Sequence, residues 1–369
     1  MFNHLPLTWF ISALLFIMLA VAYCHFIIKR TASFRKLMAE PDIKGTNSIG
    51  ISIIIPFFNE AEHLPALINS LQKLNYSGHE ILFVNDGSTD KGEELISENG
   101  IHKLLNNTQG IGKKGALHTG ILAAQHPYVI TIDADCIVDP NILNAYAAQF
   151  ATGAVMVLGL VCFEPQAGMA SYYAMLENSS LVAWALGNAN DGKPNMANGA
   201  NLGFNKQKFI DANGYAGHMH ISSGDDEFLL QSFVNLGAHI KVAKNAVVHT
   251  TTINNWSTFL EQRCRWASKT KKYTAKKQWA YHLSQWAFVL WLMAIIYSLT
   301  SHNISFLIMS LGLKIYVDLG WFKLIAPHFH IPLNRFKIIF ISLLQLIVLP
   351  LTYIVSLFWS GGWKGRKIN

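Results

Sequence analysis

Residues 8–28 contain no Asp, Glu, Lys or Arg, and this run constrains the chain more than any other feature. As a helix, its 21 residues would extend about 30 Å, the thickness of a bilayer core. A cleaved export signal would have a shorter apolar stretch with a basic residue in front of it. Here Lys29, Arg30, Arg35 and Lys36 follow the run. It therefore reads as a retained anchor whose C-terminal end lies in the cytoplasm. A second apolar region separates Lys277 from Lys314, and its 36 residues are too many for one span. Broken near Ser301, His302 and Asn303, it reads as spans at 284–301 and 304–322. A last charge-free run, 338–359, carries Pro350, which is expected to kink it. Lys314 and Asp318, four apart in the third span, read as an ion pair facing protein. Four spans put the tail with Lys364, Arg366 and Lys367 outside. A re-entrant 304–322 would return it to the cytoplasm.

Composition narrows the class further. Charged residues make up 14%, against about 25% in a soluble domain, and hydrophobic residues 51%. That excludes a disordered chain, and so little charge does not cover an ordinary soluble surface. Four cysteines without CxxC spacing argue against a disulfide scaffold or a structural zinc site. Lys and Arg number 29 against 22 acids, but seven of them lie between Arg263 and Lys277, where there is no acid. Outside that segment the signs balance at 22 each. A basic run confined to a membrane edge reads as a contact with anionic lipid, not with nucleic acid.

Three segments follow: an anchor at 1–28, one piece at 29–277, and a C-terminal membrane region at 278–369 with about three helices. In the middle piece, Ile51–Ile55 reads as a buried strand stopped by Pro56. Leu64, Leu67, Ile68 and Leu71 have the spacing of an amphipathic helix. Further strands are expected at Glu80–Val84, Ile101–Leu105 and Tyr128–Ile132, with a helix at Gly115–Gln125. Pro140 is expected to open another helix behind an N-cap at Asp139. The β-α-β-α order predicts an α/β domain, a parallel sheet with helices on both faces.

Ligands of such sheets bind outside the carboxyl ends of the strands, and the polar clusters fall there. Pro56, Asn59 and Glu60 follow the first strand, Asp86 to Asp90 the second, and Asp133 and Asp135 the fourth. Carboxylates two apart on an extended strand end would point the same way and suit Mg2+ or Mn2+. A solvated turn is the simpler account of them. Residues Gly110 to Leu117 open a helix with cations, and Lys114 could meet a phosphate there, although the glycine spacing is not that of a P-loop. Asp225, Asp226 and Glu227 start a helix, where the dipole favours acids. Crowding also raises a carboxylate's pKa and suits a general base. Arg265 beside Trp266 suits a diphosphate, because the guanidinium grips phosphate with two parallel bonds.

Taken in order, these pieces resemble a membrane-bound family 2 glycosyltransferase with a GT-A catalytic domain. The resemblance runs from Ile51 to Trp266. It rests on Pro56-x-x-Asn59-Glu60, Asp86 in Asn-Asp-Gly-Ser-Thr-Asp, Gly112 to Leu117, Asp133-x-Asp135, Gly224-Asp-Asp226 and Gln262-x-x-Arg265-Trp266. The last is similar to the Q-x-x-R-W motif of cellulose, chitin and hyaluronan synthases and of ceramide glucosyltransferases. The resemblance implies an inverting enzyme that uses a nucleotide-sugar donor, with uridine as the base, and a lipid or saccharide acceptor. Pro56, Asn59, Glu60, Asp86, Lys114 and Asp133 would bind the donor nucleotide. Asp135 would be the direct ligand of Mn2+ or Mg2+, beside Asp133. Asp226 would be the catalytic base, and Asn198, Gln262, Arg265 and Trp266 would shape the acceptor and diphosphate side. It also implies an integral inner-membrane protein that contacts lipid, with its catalytic domain in the cytoplasm. A polyprenyl-phosphate sugar synthase would lack Gln262 to Trp266. A non-catalytic scaffold would not need all the acids.

Overall fold

A computed structural model describes residues 7–43, 49–100, 103–219, 224–268, 275–300, 304–358, 362–363 and 366–367. Its elements are α1 (Leu7–Ala39), β1 (Ile51–Phe57), α2 (Leu64–Leu71), β2 (His79–Asn85), α3 (Gly92–Glu98), β3 (Lys103–Asn106) and α4 (Lys113–Ala123). Then come β4 (Tyr128–Ile132), β5 (Cys136–Val138), α5 (Ile142–Ala151), β6 (Met156–Glu164), α6 (Met169–Asn190), β7 (Asn201–Asn205) and α7 (Lys206–Asp211). The chain continues through α8 (Asp225–Asn235), β8 (Ile240–Thr251), α9 (Trp256–Ser268), α10 (Ala275–Thr300), α11 (Ile304–Ile325) and α12 (Arg335–Phe358). Two compact units result. One comprises 33–167, 177–252 and 367–369, and the other 1–32, 168–176 and 253–366.

The first unit holds an eight-stranded sheet in the order β3-β2-β1-β4-β7-β6-β8-β5. Strands β1, β2, β3 and β4 are parallel, as expected from their alternation with helices. The sheet as a whole is mixed, because β7 runs antiparallel to both β4 and β6, and β5 antiparallel to β8. Pro56 does not stop β1, which continues to Phe57. Pairing with β4 ends at Ile54, so beyond it that side of β1 asks for no amide donor. The helix near Pro140 starts only at Ile142. The Asp139 Oδ1 accepts the Asn141 amide at 2.8 Å, closing a turn ahead of the helix. Residues 101–102 of the expected third strand lie outside the described residues.

Asn201 locks the far half of the sheet. It is 1% exposed. Its amide donates to the carbonyls of Leu160, at 2.9 Å, and Ala246, at 2.8 Å, and its Oδ1 accepts the Tyr146 hydroxyl at 2.8 Å. The β6–β8 register shifts between Gly159 and Leu160, so ladder carbonyls there need a substitute partner, and Asn201 supplies it. Gly159 leaves the room: a Cβ there would lie 2.3 Å from the Asn201 amide.

Three helical segments among the described residues are long and apolar enough to cross a membrane: Ala13–Ala39, Tyr281–Thr300 and Arg335–Phe358. They correspond to the expected first, second and last spans. The expected span at 304–322 is a helix, α11, but it is not among these three. Its two ions are internal. Lys314 is 0% and Asp318 3% exposed, with Nζ and Oδ2 2.5 Å apart. Tyr23 of α1 donates to the other Asp318 oxygen, and Gln345 of α12 accepts from Lys314 at 3.1 Å. Phe16, Trp291, Ala294 and Leu346 pack into an apolar cluster around Tyr23. Every partner of the pair comes from the second unit, as a charge in an apolar setting requires.

Removing one member of a buried pair strands the other, at about 3–5 kcal/mol. Asp318→Ala should therefore lower the thermal midpoint in detergent far more than the charge-free double change Lys314→Met with Asp318→Leu. Equal losses would show that the pair contributes only its volume.

Candidate active site

The carboxyl ends of β1, β2 and β4 lie side by side, and their loops are cross-braced. After β1, Asn59 takes φ +54°, a conformation asparagine tolerates better than most residues. Its amide nitrogen donates to the Ser88 hydroxyl at 3.0 Å, and its Oδ1 accepts the Thr89 amide at 2.8 Å. Asp90 accepts the Ala61 amide at 2.7 Å, and Glu60 pairs with His63 at 2.8 Å. Pro56 lies within β1 itself. Asp86, only 9% exposed just past β2, turns Oδ1 to the Asn107 side-chain amide at 2.7 Å and the Gly112 backbone amide at 3.0 Å.

Asp133 and Asp135 do not sit on an extended strand end. Asp133 through Cys136 form a turn between β4 and β5, closed by the Cys136 amide on the Asp133 carbonyl at 3.1 Å. Asp135 is exposed and accepts Thr250 Oγ1 at 3.2 Å. Asp133 turns to Lys113, its Oδ1 2.6 Å from the ammonium, and Asp225 Oδ2 lies 3.5 Å from the same nitrogen. Sequence reasoning selected Lys114, but the cation among the acids is Lys113. Lys114 is 4% exposed, donates to the His218 carbonyl at 2.9 Å and lies over the Phe228 ring. Two adjacent lysines at a helix start face different ways, and spacing does not say which turns inward.

The acids of α8 complete the cluster. Gly224 precedes them at φ +81°, left-handed backbone that glycine adopts freely, and three acids in the first turn suit the helix dipole. Asp226 is half-buried; its Oδ1 accepts the Glu227 amide at 2.7 Å and its Oδ2 the Gly199 amide at 3.1 Å. Asn198 is not in contact with these acids by any bond described; its side chain caps the turn, accepting the Ala200 amide at 3.1 Å. Sequence reasoning singled out Asn198 but not its neighbour Gly199. Its lack of a side chain is what admits the acids.

Burial pushes the Asp133 carboxyl up, Lys113 pulls it down, and Asp135 and Asp225 push it up again, leaving it at about 6. Burial works against the charge on Lys113, but Asp133, Asp225 and Asp226 outweigh it and hold the ammonium well above the ordinary lysine range. A carboxyl that burial and neighbouring acids hold against ionisation, as at Asp133, is a hard oxygen donor that a divalent cation would relieve. The residues present therefore fit Mg2+ or Mn2+.

Gln262, Arg265 and Trp266 lie on α9, in the second unit. The sequence-based boundary at 277 had included them with the sheet domain; by compactness the sheet unit ends at Thr252. Within α9 it is Arg263, 7% exposed, that binds the Gln262 side chain at 2.6 Å and stacks over Trp266 at 4.3 Å. Residues 269–274, with three of the seven cations of the basic run, lie outside the described residues.

Residues 52–193 match the profile of glycosyl transferase family 2, and residues 128–361 that of glycosyl transferase family group 2. Over 108 residues the chain is 35% identical to a poly-beta-1,6-N-acetyl-D-glucosamine synthase of Staphylococcus aureus, which is 28% of this chain and 26% of that protein. A namesake from Staphylococcus epidermidis is 32% identical over 120 residues, 32% of this chain and 29% of that one. The match thus spans about a quarter of the length of these relatives. A mannosyltransferase of Pyrobaculum calidifontis, solved with GDP-Man and Mn2+, shares the fold: TM-score 0.60 at 14% identity, over 91% of this chain and 99% of that one.

A Cβ on Gly199 would lie 2.8 Å from Asp225 Oδ2 and 3.4 Å from the Lys113 ammonium. Gly199→Ala should leave the thermal midpoint within a few degrees but lower turnover roughly tenfold or more, because small displacements of reacting groups are costly. Unchanged turnover would mean that the cluster yields without consequence.

Proposed function

The chain belongs to glycosyl transferase family group 2, and on that premise we propose that it is an inverting enzyme carrying a sugar from a nucleoside-diphosphate donor, with uridine as the base, to a lipid or saccharide acceptor at the membrane. The observation that carries this reading is the cluster of Asp133, Asp225, Asp226 and Lys113 at the carboxyl edge of the sheet, with Asp226 bonded to the Gly199 amide and still half-exposed. The product would belong to a cell-envelope polysaccharide or glycolipid. The basic residues that follow the first span support a sheet unit on the cytoplasmic side of the inner membrane.

Asp226 would take the proton of the acceptor hydroxyl as that oxygen attacks the anomeric carbon, and the bond to the diphosphate breaks on the opposite face. One base and no carboxylate nucleophile give a single displacement, with inversion. The two amides on Asp226 fix its carboxylate in one orientation, which saves ordering it during reaction. Asp133 and Asp135 would hold Mn2+ or Mg2+, which supplies positive charge to the leaving diphosphate. Lys113 would add a cation on the same side. Asn59, Glu60 and Asp86 would line the nucleoside, with Pro56 beneath them in β1. Asn198 would border the acceptor side. Within α9, Arg263 would orient Gln262 and Trp266.

Asp226→Asn should abolish transfer while leaving donor affinity, read by calorimetric titration, within a few fold. Equal losses of binding and rate would make Asp226 a donor ligand instead. Activity should also disappear in excess EDTA, return with Mn2+ or Mg2+, and be lost in Asp135→Ala. Full turnover in EDTA would remove the metal from the reading.

A further inference from the structure

The Asn107 side chain, which follows β3, has every hydrogen-bonding position in use. Its Oδ1 accepts the Gln109 amide at 3.1 Å and the Thr119 hydroxyl at 3.2 Å. Its Nδ2 donates to Asp86 Oδ1 at 2.7 Å and to the Gly110 carbonyl at 2.5 Å. Two acceptor sites and two hydrogens are all that a carboxamide has. The Asn107 backbone is held as well, its amide donating to the Asn85 carbonyl at 2.9 Å. Thr119 is buried on α4, and its hydroxyl also accepts the Thr108 amide at 3.0 Å.

The loop that Asn107 governs runs directly into the acid cluster. Gly110 and Gly112 stand at φ +113° and +93°, so the backbone between them takes a path closed to most side chains. Gly112 donates to the same Asp86 oxygen that Asn107 binds. The next residue is Lys113, on Asp133 and Asp225. Gly115 allows the loop to lie against α4, since a Cβ there would meet the Gly110 carbonyl oxygen at 2.3 Å. An unbroken series of bonds therefore joins the carboxylate at the end of β2 to the ammonium among the acids.

We infer that Asn107 is a positioning residue that couples the two ends of the donor site. By holding Asp86 and the Gly110 to Gly112 loop together, it sets Lys113 against Asp133 and Asp225, so that the nucleoside end and the diphosphate end are in register. This inference rests on the donor site proposed above. Asn107 needs no contact with the donor, because it acts through Asp86 and Lys113.

The test is calorimetric binding of UDP, in the presence of Mn2+, to the full chain in lipid nanodiscs. Four variants are compared with the parent: Asn107→Ala, Lys113→Ala, the double variant, and Thr119→Val. A lost bond to a charged group predicts that Asn107→Ala weakens UDP about tenfold or more. The double variant should lose much less than the product of the single losses, since Lys113 is already misplaced once Asn107 is gone. Thr119→Val, which removes the hydroxyl that orients the Asn107 amide and accepts the Thr108 amide, should weaken UDP in the same direction but less, with the melting temperature lowered by no more than a few degrees. It carries the test if Asn107→Ala does not fold. Multiplicative losses in the double variant, or Thr119→Val binding UDP like the parent, overturn the inference and leave the donor site standing. A parent chain that does not bind UDP overturns both.

Discussion

The ammonium of Lys113 is the contact on which the arrangement at the sheet edge depends. Asp133 comes from the turn after β4, and Asp225 and Asp226 from the start of α8, more than ninety residues later in the chain. Like charges brought this close repel, and burial adds to the cost. Lys113, at the first position of α4, lies within 2.6 Å of one acid and 3.5 Å of another and compensates part of that charge. Gly199 supplies the space and one amide donor. The same crowding leaves the site wanting more positive charge, which is the physical ground for a divalent cation there.

The unit that holds the apolar helices meets the opposite requirement. Most of its surface residues need only be apolar, but Lys314 and Asp318 must be answered from within the protein. Tyr23 and Gln345 answer them from two other helices, one near the beginning of the chain and one near its end. Bonds of this kind are directional where apolar packing is not, so they specify which helices lie together. The N-terminal helix is in this sense a member of the C-terminal bundle.

Much of this was legible in the sequence. Apolar runs marked α1, α10, α11 and α12, since length and lack of charge are properties of a segment by itself. The period of Leu64, Leu67, Ile68 and Leu71 marked α2, and alternation of strand and helix marked the parallel half of the sheet. The mixed half was not legible, because β7, antiparallel to both its neighbours, is a five-residue strand with asparagines at both ends and a glycine in the middle, and no periodicity reveals which neighbours it joins. The turn at Asp133 to Cys136 was read as extended for a similar reason: a polar pair after an apolar strand has the same composition in either conformation.

The sequence by itself determined the chemistry on offer: which acids and cations stand at the ends of which strands, and which segments are too apolar for water. Tertiary structure decided which of them meet. Lys113 faces the acids where Lys114 turns to the His218 carbonyl, Arg263 stacks on Trp266, and Asn201 closes a gap in the sheet. Neighbouring residues in a helix point about 100° apart, so the choice between them is made by the surface each helix packs against. That surface is assembled from residues far away in the chain, and local sequence does not encode it.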